Sequence, residues 1–215
     1  ARGREAQIAG KVLVPIEPDF SIPLRRAPDV REPLRAAWSP LERPQTAPLR
    51  EVLGAVGAHQ WRVKGVEVPA LSGKVHPHYG VFAPIRSEYL DLLAQAPLDR
   101  RTCAFDIGTG TGVIALMLAR RGVKRVVATD SEVRAVVCAR ENVARFGKER
   151  SIEVVECDLW PPGRADLVVC NPPWIPGRPT SRLERAIYDP DNAFLKRFLS
   201  ELTDHLQPGG EGWLV

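Results

Sequence analysis

Phe105-Asp106-Ile107-Gly108-Thr109-Gly110-Thr111-Gly112 follows an apolar run, Thr102 to Ile107, and opens an apolar-periodic one, Val113 to Arg121. That order predicts a strand, a glycine turn and a helix start. Glycine at 108, 110 and 112 lets a ligand lie against bare backbone and gives the turn dihedrals that a Cβ would forbid. A dinucleotide turn has its third glycine about five residues after the first, where this chain has Val113, and lays a pyrophosphate on the helix N-terminus. Here Asp106 precedes the turn. A carboxylate there repels pyrophosphate but suits a ligand bearing an ammonium and a sulfonium group. A glycine turn with no ligand is the alternative reading.

Downstream the pattern repeats. The helix from Val113 to Arg121 stops at Gly122, and the Val-rich run Lys124 to Ala128 predicts a second strand that delivers Thr129-Asp130-Ser131 to its carboxyl end. Asp130 stands 20 residues after Gly110, where a carboxylate can accept both ribose hydroxyls of an adenosine cofactor. It can also cap the amphipathic helix Glu132 to Phe146, which Gly147 closes. Ile152 to Val155 predicts a third strand ending at Glu156-Cys157-Asp158-Leu159. Asp158 is placed to accept the exocyclic amine of an adenine, with the Leu159 amide facing the ring; a plain loop acid is the competing reading. Strands alternating with helices imply an α/β fold, a doubly wound, mostly parallel sheet with ligands at the carboxyl ends of its strands.

A fourth strand, Ala165 to Cys170, runs into Asn171-Pro172-Pro173-Trp174. Two prolines fix φ and remove backbone donors, leaving carbonyls turned to the site. A planar amino group is a poor nucleophile because its lone pair is delocalised. The Asn171 side-chain oxygen and the Pro172 carbonyl can hold its two hydrogens and favour a pyramidal nitrogen. Trp174 offers a flat face for the target. A Pro-rich loop without function explains neither the Asn nor the Trp.

Together these motifs resemble the class I methyltransferases that use S-adenosylmethionine, and in particular their amino-methyltransferases of the Asn-Pro-Pro-aromatic type, which act on glutamine side chains of release factors or on base amino groups. The resemblance covers about Gly80 to Val215. It implies the Rossmann-like class I methyltransferase fold and assigns cofactor binding to Asp106, Gly108, Gly110, Asp130 and Asp158, with Thr109, Thr111, Gly112, Ser131 and Leu159 beside them. It assigns the methyl acceptor to Asn171, Pro172, Pro173 and Trp174, and implies S-adenosylhomocysteine as product. The family usually has Tyr or Phe where this chain has Trp174. Ile175-Pro176 and the hairpin described below favour the release-factor glutamine type; an RNA or DNA adenine or guanine amino-methyltransferase is the alternative. A non-catalytic RNA-binding module with this fold is a reading of another class, and a nicotinamide oxidoreductase is disfavoured by Val113.

The remaining segments are less specific. Residues 1–60 are rich in Pro and Arg with weak periodicity except at Pro48 to Val56, and predict a loosely packed extension or the tail of a preceding helical domain, with a substrate-recognition module as the alternative. Residues 61–84 predict a β-hairpin, with Trp61 to Val68 and Lys74 to Phe82 alternating about Ser72-Gly73; residues 85–215 form the cofactor-binding domain. His76 and His78 share a strand face without further ligands nearby, so packing or surface roles are expected rather than a metal. Tyr89, Leu92, Leu93 and Ala96 form a helical stripe that Ser87 can cap, and such a helix roofs the cofactor pocket in this family. Arg178, Arg182 and Arg185 lie in a polar loop suited to phosphate or to solvent. Asp191 to Leu206 predicts a helix with Phe194, Leu195, Phe198, Leu199, Leu202 and Leu206 inward, stopped by Gln207-Pro208-Gly209-Gly210 before a strand at Gly212 to Val215.

With 44% hydrophobic and 26% charged residues the 215-residue chain has ordinary globular composition. A net charge of +4 permits nucleic-acid contact without demanding it. Cys103, Cys138, Cys157 and Cys170 show no metal spacing and predict buried thiols in a reducing compartment. No run reaches membrane-spanning length, so a cytoplasmic protein is expected. The chain lacks an initiator Met, and the family's last strands are missing after Val215, so the natural polypeptide is expected to continue.

Overall fold

The computed structural model describes residues 11–85, 88–98, 102–177 and 186–215, and its contacts divide the chain into two units, Ala1–Lys64 and Gly65–Val215. In the first unit, β1 (Leu13–Ile16) pairs antiparallel with β2 (Gln45–Pro48), and two helices, α1 (Arg31–Ala37) and α2 (Leu49–Lys64), complete it. Ile16, Phe20, Leu34, Val52 and Ala55 are buried. The stretch is therefore more built than its composition predicts. Its buried residues come from two short strands, a short helix, a turn and the helix Leu49–Lys64, so no single period reveals them all.

A strand over Trp61 to Val68 is not what forms. The chain stays helical through Lys64, and Gly65, in the left-handed region at φ +73, ends the helix before β3 (Val66–Val68). Four alternating residues are too few to outweigh the helical turns that precede them. A short 3₁₀ turn and Ser72 at φ +51 then lead to β4 (Gly73–Val75), which pairs antiparallel with β3.

The second unit is built on one five-stranded parallel sheet. Its strands are β5 (Cys103–Ile107), β6 (Arg125–Asp130), β7 (Ile152–Glu156), β8 (Ala165–Cys170) and β9 (Leu206–Leu214), in the order β7-β6-β5-β8-β9. Alternate residues of each strand feed opposite cores, as the period of two requires. Ala104, Val126, Ala128, Leu167 and Val169 pack with α3 (Glu88–Gln95), α4 (Val113–Arg120) and α5 (Val133–Arg145). Phe105, Ile107, Val127, Val168 and Cys170 pack with Phe198 of α6 (Ala193–Glu201) on the other face. The sheet is thus doubly wound, as the alternation of elements predicts.

Two details differ at the C-terminal end. The helix expected over Asp191 to Leu206 is broken into α6 and flanking 3₁₀ turns, and Leu199, expected inward, is half exposed. Asp191 and Asn192 both take positive φ before α6, so the helical stripe is re-phased at its start. The residues Gln207 to Gly210 do not stop the chain before a strand but form an excursion inside β9. Ala165 pairs with Leu206 and Leu167 with Glu211, and Gly209 at φ +77 makes the detour possible.

Candidate active site

The topology decides where a ligand can lie. From β5 the chain winds outward to β6 and β7, then returns to β8 on the other side of β5. The crevice between the carboxyl ends of β5 and β8 is the switch point of the sheet, where open α/β folds bind ligands. Ile107 pairs with Cys170 and with Thr129. Gly108, Asn171 and Asp130 therefore leave three neighbouring strands side by side. A cavity of about 380 Å³ opens there, lined by Gly108 to Thr111, Asp130, Ser131, Asp158, Leu159 and Asn171 to Trp174.

The glycine turn is fixed from below. Asp106 is fully buried; its Oδ2 accepts the Thr109 hydroxyl at 2.6 Å and the Ala115 amide at 3.0 Å, while Oδ1 is buried with no hydrogen-bond partner among the described residues. Burial pushes its carboxyl up to about 7, against the lowering effect of those two donors, and the neighbouring Asp130 adds to the rise. Asp106 and Gly112 stand behind the cavity wall rather than in it. Gly112, at φ +80, has Ala139 against it, where a Cβ would come within 3.3 Å of the Ala139 Cβ. Gly108, at φ +70, has nothing within 4 Å on its open side, and Gly110 only Val81 at 3.9 Å. Two of the three glycines thus leave a cradle, and the third admits a helix.

Asp130 does not cap α5 in the ordinary way. Its Oδ1 accepts the Glu132 amide and its Oδ2 the Gly110 amide, each at 3.0 Å, so it ties the second strand's end to the glycine turn. Burial raises its carboxyl above the usual range. An ionised carboxylate has about four acceptor positions, so two remain for ribose hydroxyls. Asp158 is engaged differently from expectation: its carboxylate, 70% exposed, accepts Arg197 Nη1 of α6 at 2.6 Å. Sequence reading gave no sign of Arg197, because the partners are brought together only by the fold. Leu159, buried and at φ +70, accepts the Thr129 hydroxyl through its carbonyl.

On the other side, Asn171 Oδ1 is buried without a hydrogen-bond partner among the described residues. The loop it begins is anchored by Trp174 and Ile175 amides donating to Ile187 O at 3.1 and 2.9 Å and by the Asp189 amide donating to Ile175 O at 2.9 Å. Asp189 is itself buried, and its carboxylate caps α6 through the amides of Phe194 and Leu195. Trp174 is 52% exposed and stands edge-on to Phe82, with ring centroids 6.4 Å apart. Burial drives the Cys170 thiol far up, with Asp106 adding to the rise, so it stays protonated beside the loop.

The cavity has walls that motif reading missed. Tyr79 to Phe82 and Arg134 of α5 face it. Tyr89 of α3, on the helix expected to roof the pocket, faces it too, and burial with Asp106 nearby raises its hydroxyl. His78 is a buried packing residue, its Nε2 2.9 Å from Glu141 Oε2. Ser87 and the arginines at 178, 182 and 185 lie outside the described residues. Among the described residues no helix is long and apolar enough to cross a membrane.

The fold and the crevice define an α/β protein with an open cradle at the switch point of its sheet. Residues 73–215 match the model of the methyltransferase small domain, and the chain belongs to that family. It is accordingly of the S-adenosylmethionine-dependent methyltransferase class, with a class I fold and S-adenosylmethionine as cofactor. A Methanocaldococcus jannaschii protein provisionally named a protein N5-glutamine methyltransferase is 29% identical over 153 residues, 67% of this chain and 75% of that one. The release factor glutamine methyltransferase of Koribacter versatilis is 32% identical across 55% of this chain and 48% of its own length. The ribosomal RNA small subunit methyltransferase C of Alcanivorax borkumensis is 37% identical across 51% and 30%. The chain thus spans three quarters of the first and under half of the other two. A Pyrococcus furiosus methyltransferase structure aligns over 66% of this chain and 68% of its own, with a TM-score of 0.51 and 20% identity, which speaks to the fold.

The residues present fit the cofactor. Bare backbone at Gly108 and Gly110 admits it closely, and Asp130 has acceptor positions for its ribose.

Proposed function

We propose that this chain methylates a planar amino nitrogen, and that the acceptor is the side-chain amide of a glutamine in a protein of the release-factor type. The observation that carries the reading is the buried Asn171 Oδ1, without a partner among the described residues, on the strand end beside Gly108. A buried acceptor left unpaired costs about 1 to 3 kcal/mol, and an incoming N–H relieves that cost. Asn171 Oδ1 takes one amide hydrogen and the Pro172 carbonyl the other, which turns the nitrogen lone pair toward the cofactor side.

Bound S-adenosylmethionine supplies an electrophilic methyl group on a cationic sulfur. With a methyl group supplied there, Asn171 Oδ1 and the Pro172 carbonyl would hold the amide nitrogen in place until one of its protons is shed to solvent. The protein contributes alignment and exclusion of water rather than a covalent nucleophile. Glutamine is favoured by the relatives with the larger shares of shared chain, which carry that activity in their names.

A base amino group is the second reading, favoured by the half-exposed Trp174, since a flat face stacks a base well. Tritiated methyl transfer to a glutamine-bearing release-factor peptide, to total RNA and to DNA separates the two. Label on the peptide that is lost with Asn171→Ala supports the proposal; label on RNA or DNA alone replaces glutamine with a base. Equal label from the Asn171→Ala protein would refute the role of Asn171.

A further inference from the structure

Helix α5 stitches two walls of the cavity together through a residue outside every motif. Asn142 is fully buried and does not line the cavity. Its Nδ2 donates to Thr111 O of the glycine turn at 3.0 Å, and its Oδ1 accepts the His76 amide at 2.8 Å. From His76 the chain runs on to the Tyr79–Phe82 wall. The same helix fastens that run further along: Cys138 Sγ lies 3.5 Å from His76 O as donor, Glu141 meets His78, and Arg134 Nη1 donates to Tyr79 O at 3.1 Å. Val81 packs with Ala135 and Cys138, and Val81 is the side chain facing Gly110.

We propose that Asn142 is a positioning residue for the cofactor, holding the glycine turn and the Tyr79–Phe82 wall at a fixed separation. The side chain suits that role because one planar amide offers a donor at one end and an acceptor at the other. Aspartate keeps the acceptor for His76 but sets a carboxylate oxygen against Thr111 O. Alanine satisfies neither group, and the buried Thr111 carbonyl and the part-buried His76 amide lose this bond. With the tie broken, the cofactor must order the wall as it binds, which weakens affinity. Transfer from the saturated complex is little affected, because Asn142 touches neither reactant. The inference rests on the cofactor alone, not on the identity of the acceptor.

The test is calorimetric titration of the whole chain and of Asn142→Ala and Asn142→Asp with S-adenosylhomocysteine, with hydrogen exchange followed at residues 76–82. Val143→Ala, a buried apolar neighbour on the same helix, controls for loss of stability. Both Asn142 variants are expected to bind about tenfold or more weakly at unchanged stoichiometry, with turnover at saturating cofactor within about threefold and faster exchange at 76–82. Val143→Ala is expected to bind like the parent. A folded Asn142→Ala protein with parental affinity overturns the proposal. Should neither variant fold, the parent decides: the product must slow exchange in 109–112 and 79–82 together, and slowing in the turn alone overturns it.

Discussion

Adding one methyl group at Gly108 and, separately, at Gly112 distinguishes a glycine that serves a ligand from one that serves the fold. Both have positive φ, +70 and +80, so each alanine carries a backbone cost of about 1 to 2 kcal/mol. At Gly112 the new Cβ also comes within 3.3 Å of Ala139 Cβ and 3.4 Å of Ala139 Cα on α5, and crowding of that kind adds roughly 1 to 3 kcal/mol. Gly112→Ala should therefore lose about 2 to 5 kcal/mol in urea unfolding. At Gly108 nothing lies within 4 Å, so only the backbone cost applies. That methyl projects into the cradle instead, and binding of S-adenosylhomocysteine by calorimetry should weaken by about tenfold or more, roughly 1.4 kcal/mol. Parental affinity in Gly108→Ala, or a smaller stability loss at Gly112 than at Gly108, would refute this division of labour.

Other outcomes follow from the same geometry. Asp106 titrates at about 7 in the fold against 3.8 for an ordinary aspartate, so the folded state holds its proton more tightly. Its contribution makes stability fall as pH rises from about 4 to about 7, by at most about 1.4 kcal/mol per pH unit. Asp106→Asn should flatten urea midpoints over that window, leaving the same-signed share of Asp130, and an unchanged slope would show that Asp106 is not the source. Asp189→Ala removes the cap of α6 and should cost about 1 to 2 kcal/mol in thermal or urea unfolding. Arg197→Ala breaks an exposed pair, with 46% and 70% of the two side chains accessible, and should leave stability within about 0.5 kcal/mol. Trp174→Ala should raise the acceptor KM about tenfold, within the range of a lost aromatic stack, while cofactor affinity stays put; a matching loss of cofactor affinity would place Trp174 elsewhere.

What could be read from sequence was what is local. The turn Gly108 to Gly112, the strand endings at Asp130 and Asn171, and the alternation that winds the sheet all lie within short windows, where period and turn chemistry decide. Long-range placement was not available. The Arg197 grip on Asp158 and the Asn142 bonds to Thr111 and His76 join residues far apart in the chain, and no spacing rule foretells such pairs. Local alternation misled at Trp61 to Lys64, where the preceding helix extended through it. In residues 11–60 the periodic run from Pro48 fell within a real helix, while the other buried positions are shared among short elements.

Helix α6 is held at its start by Asp189, whose carboxylate takes the amides of Phe194 and Leu195 and whose own amide donates to Ile175 O. Further along, Arg197 of the same helix reaches Asp158 after β7. One helix therefore moors loops that leave two non-adjacent strands, by bonds of the buried Asp189 at one end and by an exposed ion pair at the other.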